Sequence, residues 1–578
     1  MGFMFHAPCP VAFFMQRRVR RFLAQWRLMA VVGSFSLLYL VLVGHLYSIQ
    51  VEQRPYYSAR AQSQYRLAGF LNAQRGNIFF QDKNGTLIQA AIMKEMPAVF
   101  AVPKEIGTPQ ETAMALAQTI PGTDEDELVR ILSKGDDPYE PIAKKVSDAV
   151  VDAIKKLKLG GIYIDEEPNR FYPLGSMFAH ALGFVGPAAE DEEAKGRYGL
   201  ELFYEEELRG LGGEFSEDNL IKPPTNGSNL ILTVDYTIQR KAEAVLRALV
   251  EKHGAGGGSV IVEDPQTGRI LAMASHPTFD PNEYSHYSIA TFINPVAQSI
   301  YEPGSVFKVM TMAIGIETGK LTPDTTYVDK GYVTFDGRTI RNWDLKTRGE
   351  LTMAQVLEHS VNTGAVFAER LIGHDLFYNY LISFGFNEPT GIDLPGELKG
   401  SLANLRTQRD INFATASFGQ GVSVTPISLT NAIAAIANRG ILMRPYIVER
   451  IVNAEGGIIE ERKPEFIRRV IGERTAEQVI DMMVAAVRTN IIADIPSYEV
   501  AGKTGTAQVP NLAGGGYYED QVINSYTGFA PATNPRFVIL IKLDKPLGAP
   551  LAGQTVVPAF RELAEFILNY YEIPPDSL

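Results

Sequence analysis

Cysteine is nearly missing from this chain: Cys9 is the one example in 578 residues. No internal disulfide can form, so core packing and hydrogen bonds must hold the fold. Positive charge is short as well, with 54 Lys and Arg against 66 Asp and Glu and a net charge of −12. That balance argues against nucleic acid as a partner. The eight histidines are scattered, and no H-E-x-x-H or C-x-x-C pairing occurs. No metal site and no cofactor is therefore expected. Internal repeats and low-complexity tails are absent too. What remains is an ordinary globular balance, 46% hydrophobic and 21% charged, in a chain long enough for two or three domains.

Long apolar runs are also lacking, apart from one. Leu28 to Tyr47 carries no Lys, Arg, Asp or Glu, and about 20 such residues span a bilayer as a helix. Arg17, Arg18, Arg20, Arg21 and Arg27 precede it, which places the N-terminus in the cytoplasm and everything after residue 48 outside. A signal peptide would need a shorter apolar core and a small-x-small cleavage site. SIQVEQRPYY follows instead, so the segment reads as an uncleaved single-pass anchor in the cell membrane. Trp26 suits the inner aromatic belt, and Met1 and Met15 are both readable as the start.

Beyond the anchor, residues 49–228 read as a mixed, loop-rich domain. QRGNIFFQDKNGTLIQ alternates apolar residues either side of Asn84-Gly85, a hairpin signal. Two short helices are expected after caps at Thr108 and Thr123. PPTNGSN, residues 223–229, reads as a linker. Residues 229–578 are organised differently. A helix ends at Gly254, and two strands flank the turn 264–268. Three more strand-like runs, EVAGKTGTAQV, NSYTGFAPA and RFVILIKLD, come late, and an amphipathic helix closes the chain. The pattern predicts an α+β domain whose antiparallel sheet is built from both ends, with a helical insert over about 290–500.

The chemistry centres on YEPGSVFKVM. Pro303-Gly304 breaks the preceding chain, Gly319 stops the following helix, and Lys308 returns to the face of Ser305 at i+3. A serine hydroxyl is a weak nucleophile that needs an adjacent base. A lysine serves if burial and a second cation lower its pKa. Alone, S-x-x-K is expected on the order of once or twice in such a chain by composition, and a solvated lysine explains it as well. Two further motifs change the odds: Ser360-Val361-Asn362, and Lys503-Thr504-Gly505-Thr506. A chance K-T-G is expected only ~0.2 times.

In order and spacing these motifs resemble the penicillin-binding and serine β-lactamase superfamily. YEPGSVFK, SVNTG, SFGQGVSVTPISL and AGKTGTAQ are similar to the class B penicillin-binding proteins, the monofunctional peptidoglycan transpeptidases of division type. QRGNIFFQDKNG and GRYGLELFYEEELRG look like that family's dimerisation or pedestal domain. The resemblance implies a tail at 1–27, an anchor at 28–48, a pedestal at 49–228 and a transpeptidase domain at 229–578. It implies that Ser305 attacks the penultimate D-Ala carbonyl of a stem peptide, with Lys308 as base. Ser360 relays a proton, and Lys503 draws the substrate carboxylate and depresses Lys308. Asn362, Thr504, Gly505 and Thr506 bind substrate, Gly505 by letting its backbone come close. The backbone N–H groups of Ser305 and Thr506 form the oxyanion hole. G-Q-G at 419–421 lies near the floor of the site, and AGGGYYED at 513–520 reads as a loop beside it. β-Lactams would acylate the same serine.

No glycosyltransferase signature occurs, so the resemblance implies a polytopic membrane glycosyltransferase of the shape, elongation, division and sporulation type as partner, with other division proteins. The competing readings are an elongation-type transpeptidase for cell shape, and a largely non-catalytic division scaffold or β-lactam sensor.

Overall fold

The computed structural model describes residues 34–43, 73–135, 137, 139–186, 194–212, 214–215, 221–222, 224–335, 337–511, 514–549 and 551–576. Residues 34–43 are helical and expose their apolar side chains to solvent. No helix among the described residues is long and apolar enough to cross a membrane. The remainder of the Leu28–Tyr47 run, its arginines, Trp26 and Cys9 lie outside those residues. The chain divides into two compact units, one of residues 1–72, 95–168 and 213–223, the other of 73–94, 169–212 and 224–578.

The smaller unit has its own core, in which Val99 and Ala101 meet Leu116, Leu128, Leu132, Val151 and Ile154. Thr108 precedes the helix Pro109–Thr119 as expected, although its side chain makes no capping bond. The second cap falls one residue later than expected. Asp124, not Thr123, caps Glu125–Leu132, its carboxylate accepting from Glu127 N at 3.0 Å. A carboxylate there also complements the positive end of the helix. Thr123 instead donates to Ile120 O at 2.8 Å.

In the larger unit the Asn84-Gly85 hairpin forms, pairing Gln81 with Leu87 and Phe80 with Ile88. Asp82 ties the turn by accepting from Asn84 N and Thr86 N, each at 2.8 Å. The segment read as a linker is hydrogen-bonded into this unit. Thr225 and Leu211 exchange backbone bonds at 2.8 Å, and Gly227 N donates to Gln74 O at 2.8 Å. The two pedestal-like motifs meet here. Glu201 of GRYGLELF is fully buried and accepts from Arg75 of QRGN at 2.8 Å and from Arg170 at 2.6 Å. Burial alone would push the Glu201 carboxyl up; the two guanidiniums outweigh it and hold the group ionised.

The main sheet is antiparallel and built from both ends of the segment, as expected. Strands β1 (Gly257–Glu263), β2 (Ile270–His276), β3 (Ala501–Pro510), β4 (Tyr517–Ala530) and β5 (Phe537–Asp544) lie in the order β2-β1-β5-β4-β3. Side chains alternate between its faces. Val260, Val262, Ile539 and Ile541 pack with helices α1 (Tyr236–His253) and α6 (Val556–Tyr570). Ile261 and Leu540 point into the other core, shared with α2 (Lys308–Glu317), α4 (Pro426–Ala437) and α5 (Glu473–Asn490). α3 (Asn362–Ile372) lies against α2.

The insert departs from expectation. Besides these helices it holds eight short strands among the described residues, of which Val448–Val452 pairs antiparallel with Asn229–Asp235 in a second sheet. Strands of three to five residues are too short for hydrophobic periodicity to reveal.

Candidate active site

The turn Pro303-Gly304 leads into one tight 3-10 turn, Gly304–Phe307, and Lys308 opens α2. Ser305 is half-buried, whereas Val306 and Phe307 are fully buried and anchor the turn. G-Q-G seats this turn from below. Gly304 N donates to Gly419 O at 3.1 Å. Gly419 has φ +80°, and a Cβ there would fall 2.2 Å from the Gly304 carbonyl oxygen, so only glycine fits. Gly421 N donates to Glu302 at 3.0 Å, and the same carboxylate accepts from the Tyr517 hydroxyl at 3.0 Å. Burial raises the Glu302 carboxyl above its usual range. Tyr517 lies in the segment expected to be a loop; residues 517–520 are strand, the start of β4. Glycines 514–516 mask the alternation that would have revealed it.

Lys308 is fully buried. Its Nζ donates to the Ser360 carbonyl at 2.6 Å, to Asn362 Oδ1 at 2.8 Å and to Ser360 Oγ at 3.2 Å. Burial, then the charges of Lys503 and Arg348, push its ammonium well below the ordinary lysine value. Lys503 reaches the same hydroxyl from the other side, its Nζ 3.0 Å from Ser360 Oγ, and also contacts Thr504 O at 3.2 Å and Thr504 Oγ1 at 3.3 Å. Burial brings Lys503 down to about 7.

Ser360 therefore stands between two lysines. A hydroxyl has two lone pairs and one proton. With both lone pairs taken by lysine donors, its own O–H is left to point elsewhere in the cleft. The backbone that holds it there is unusual. Ser360 has φ +54°. It follows the helix Met353–Glu358, and the bonds Ser360 N to Leu357 O and Val361 N to Val356 O close a Schellman motif. Glycine usually fills that left-handed position; here the hydroxyl is kept at the expense of backbone strain.

Asn362 opens α3, and its Nδ2 donates to Arg341 O at 3.0 Å, which turns Oδ1 toward Lys308. On β3, Thr504 is half-buried and Thr506 exposed, and the Thr504 hydroxyl stays within reach of Lys503 Nζ. Thr506 Oγ1 lies 3.4 Å from Ala552 N. Gly505 has a packing reason of its own. A Cβ there would meet Ser525 Oγ at 2.4 Å and Pro303 O at 2.7 Å, so its bare face admits the turn carrying Ser305.

Lys308, Ser360, Asn362, Lys503 and Thr504 thus share one hydrogen-bonded cluster, with Ser305 one turn before Lys308 and Thr506 further along β3. Sequence reasoning missed Glu302, Arg348 and the buried group Asp329, Asn342 and Thr363 behind Asn362. Glu302 and Thr363 stand inside YEPGSVFK and SVNTG but outside the residues those motifs are read for, and Asp329, Asn342 and Arg348 belong to no short motif. Among the described residues, no group of three or more His, Cys, Asp or Glu could hold a metal ion.

Comparison with known proteins agrees with this geometry. The penicillin binding protein transpeptidase domain matches residues 258–565, and the penicillin-binding protein dimerisation domain matches 70–217. Stage V sporulation protein D of Bacillus subtilis is 34% identical over 84% of this chain and 76% of its own length. Penicillin-binding protein PbpB of Mycobacterium tuberculosis is 30% identical over 94% and 85%. The probable peptidoglycan D,D-transpeptidase PenA of Neisseria meningitidis is 29% identical over 87% and 86%. Among solved structures, penicillin binding protein 3 of Mycobacterium tuberculosis in complex with aztreonam superposes with a TM-score of 0.69 at 28% identity, covering 88% of this chain and 98% of that one. The domain matches span both motif sets read from the sequence, and the likeness runs through sequence and fold alike: the chain belongs to the class B penicillin-binding proteins.

Proposed function

We propose that this chain is a serine D,D-transpeptidase that cross-links peptidoglycan stem peptides through an acyl-enzyme on Ser305, and that β-lactams acylate the same hydroxyl. The observation that carries the reading is the pair of buried lysines sharing the Ser360 hydroxyl. Burial and the neighbouring charges hold Lys308 well below the ordinary lysine value, which makes it a better base than a solvated lysine.

Lys308 takes the proton from Ser305 Oγ as the Oγ–C bond forms at the penultimate D-Ala carbonyl. The oxyanion is met by backbone N–H groups of Ser305 and Thr506. The tetrahedral intermediate then breaks its C–N bond. The leaving D-Ala amine takes the Ser360 hydroxyl proton, which is replenished through the lysines on that oxygen. A side-chain amine of a second stem peptide attacks the ester, releases Ser305 and leaves the cross-link. Lys503, Thr504 and Thr506 receive the substrate carboxylate along β3, and an extended peptide adds beside that strand.

The uncharged run Leu28–Tyr47 and its arginines support a single-pass membrane anchor with the catalytic domain outside the cytoplasm. Pedestal and transpeptidase domains then correspond to 49–228 and 229–578. A polytopic glycosyltransferase is the partner that this arrangement calls for, with other division proteins around it. A septal role is favoured over cell elongation by the modest length of the segment before the transpeptidase domain, which carries AVFAVPKEI, and by likeness to the peptidoglycan D,D-transpeptidase FtsI homolog of Mesostigma viride.

The test is to incubate the full chain in detergent with a fluorescent penicillin and map the labelled peptide by mass spectrometry. Stable label on Ser305, lost in Ser305→Ala, is expected. An unlabelled, folded protein would sink the catalytic reading, and label that clears within seconds would make it a β-lactamase.

A further inference from the structure

Behind Asn362 lies a polar group that the reaction above does not use. Asp329 is 1% exposed, Asn342 1% and Thr363 7%. The Asp329 carboxylate accepts from Gly331 N at 2.8 Å, Arg348 N at 2.9 Å, Thr363 Oγ1 at 2.8 Å and Asn342 Nδ2 at 3.0 Å. These four donors are all uncharged. Burial pushes the carboxyl up, but the donors outweigh it and keep Asp329 below its usual range. Asn342 in turn accepts from Thr363 N at 3.2 Å, and Thr363 Oγ1, whose one proton goes to Asp329 at the shorter distance, lies 3.1 Å from Asn342 Oδ1.

The network touches no reacting atom, yet it ends on one side chain that does. Thr363 is the neighbour of Asn362 in α3. Asn342 shares a peptide plane with the Arg341 carbonyl, and that carbonyl takes the Asn362 Nδ2 proton at 3.0 Å. The two ends of a carboxamide are nearly the same size, so only partners decide which way it faces. The Arg341 carbonyl fixes Nδ2 and thereby commits Oδ1 to Lys308 at 2.8 Å. A flipped amide would present N–H donors where a Lys308 Nζ–H now points at Oδ1.

We propose that Asp329 is a positioning residue for Lys308, acting through Asn342, Thr363 and the Arg341 carbonyl on the Asn362 amide. The inference rests on the reading of Lys308 as the base for Ser305. Holding four donors around one carboxylate locks both backbone segments that bear on Asn362, the strand Arg338–Arg341 and the first turn of α3. Displacing a catalytic group by as little as 1 Å can cost about 100-fold in rate.

The test uses full-length protein and a fluorescent penicillin, with the acylation rate constant at saturation and the dissociation constant of the preceding complex measured separately, per titratable Ser305. In Asp329→Asn the rate constant should fall about 10- to 100-fold, while the dissociation constant stays within about twofold, because the carboxylate contacts on β3 are untouched. Thr363→Val, which removes one donor and keeps the volume, should show a smaller fall in the same constant, and it carries the test if Asp329→Asn does not fold. A merely structural role would lower the melting temperature and the number of titratable sites without moving the rate constant per site. Wild-type rate constants in a folded Asp329→Asn, or in a destabilised Thr363→Val, would overturn the inference alone. A wild-type protein that takes no label would overturn the functional reading and this inference with it.

Discussion

Ser360 offers a comparison in which backbone strain and chemistry separate. Ser360→Gly and Ser360→Ala both delete the hydroxyl bonded by Lys308 and Lys503. They differ only in a Cβ at φ +54°. An L-residue in the left-handed region costs roughly 1–2 kcal/mol. The glycine variant loses part of that advantage, about 0.4–1 kcal/mol, to the greater freedom of its unfolded chain. Glycine should therefore be the more stable by about 1 kcal/mol, the reverse of the usual order inside regular structure. Each lysine keeps other acceptors: Lys308 has Ser360 O and Asn362 Oδ1, and Lys503 has Thr504. The shared loss of the hydroxyl bonds then costs about 1–3 kcal/mol in both variants. The assay is urea unfolding of wild type and both variants, comparing midpoints at a common m-value, beside penicillin acylation. Both variants should acylate about 100-fold or more slowly, and to the same extent. An alanine variant as stable as the glycine variant would refute the strain argument. Unequal acylation would show that the Cβ, and not only the hydroxyl, matters to the reaction.

Three further outcomes follow from the structure. Lys503 is held at about 7 against an ordinary 10.5, so between those values the unfolded chain binds the extra proton and folding stability rises with pH; Lys503→Met should flatten that rise by a few kcal/mol, read as the difference between wild-type and variant pH–stability curves. Glu201→Gln leaves Arg170 buried without its counter-charge and Arg75 with Glu205 alone, and should cost about 3–5 kcal/mol in urea unfolding. Gly419→Ala drives a Cβ into the Gly304 carbonyl at φ +80°, and should slow acylation while leaving the smaller unit's core, measured by hydrogen exchange at Val99 and Leu116, unaffected.

Much of this protein was legible in its residues because the features concerned are local. Asn84-Gly85 in a run of alternating apolar residues specifies a hairpin whatever surrounds it, and Gly254 ends α1 where the left-handed cap was needed. The main sheet is legible in strand-like runs bounded by turns, apart from the first residues of β4. Ser305 and Lys308 lie one turn apart, so the i+3 spacing alone brings them to one face. The rarity of Lys503-Thr504-Gly505 then tied the three motifs to one chemistry. By contrast, the cap at Asp124 was misplaced by one residue because Thr123 and Asp124 are both good caps and only packing chooses between them.

The sequence by itself determined the family: residue type, order and spacing set out Ser305, Lys308, Ser360 and Lys503-Thr504-Gly505, and the resemblance they carry is what proposes the attacking hydroxyl, the amines that serve it and the strand for the substrate. Tertiary structure alone decided the electrostatics and the orientation. That Lys308 and Lys503 converge on one Ser360 oxygen across 52 and 143 residues, that Gly505 is bare for the Pro303 turn, and that Asp329 lies buried behind Asn362 are contacts between distant segments. Burial is what depresses the lysines, and burial is a property of the assembled core: no window along the chain records how far a side chain will be from water.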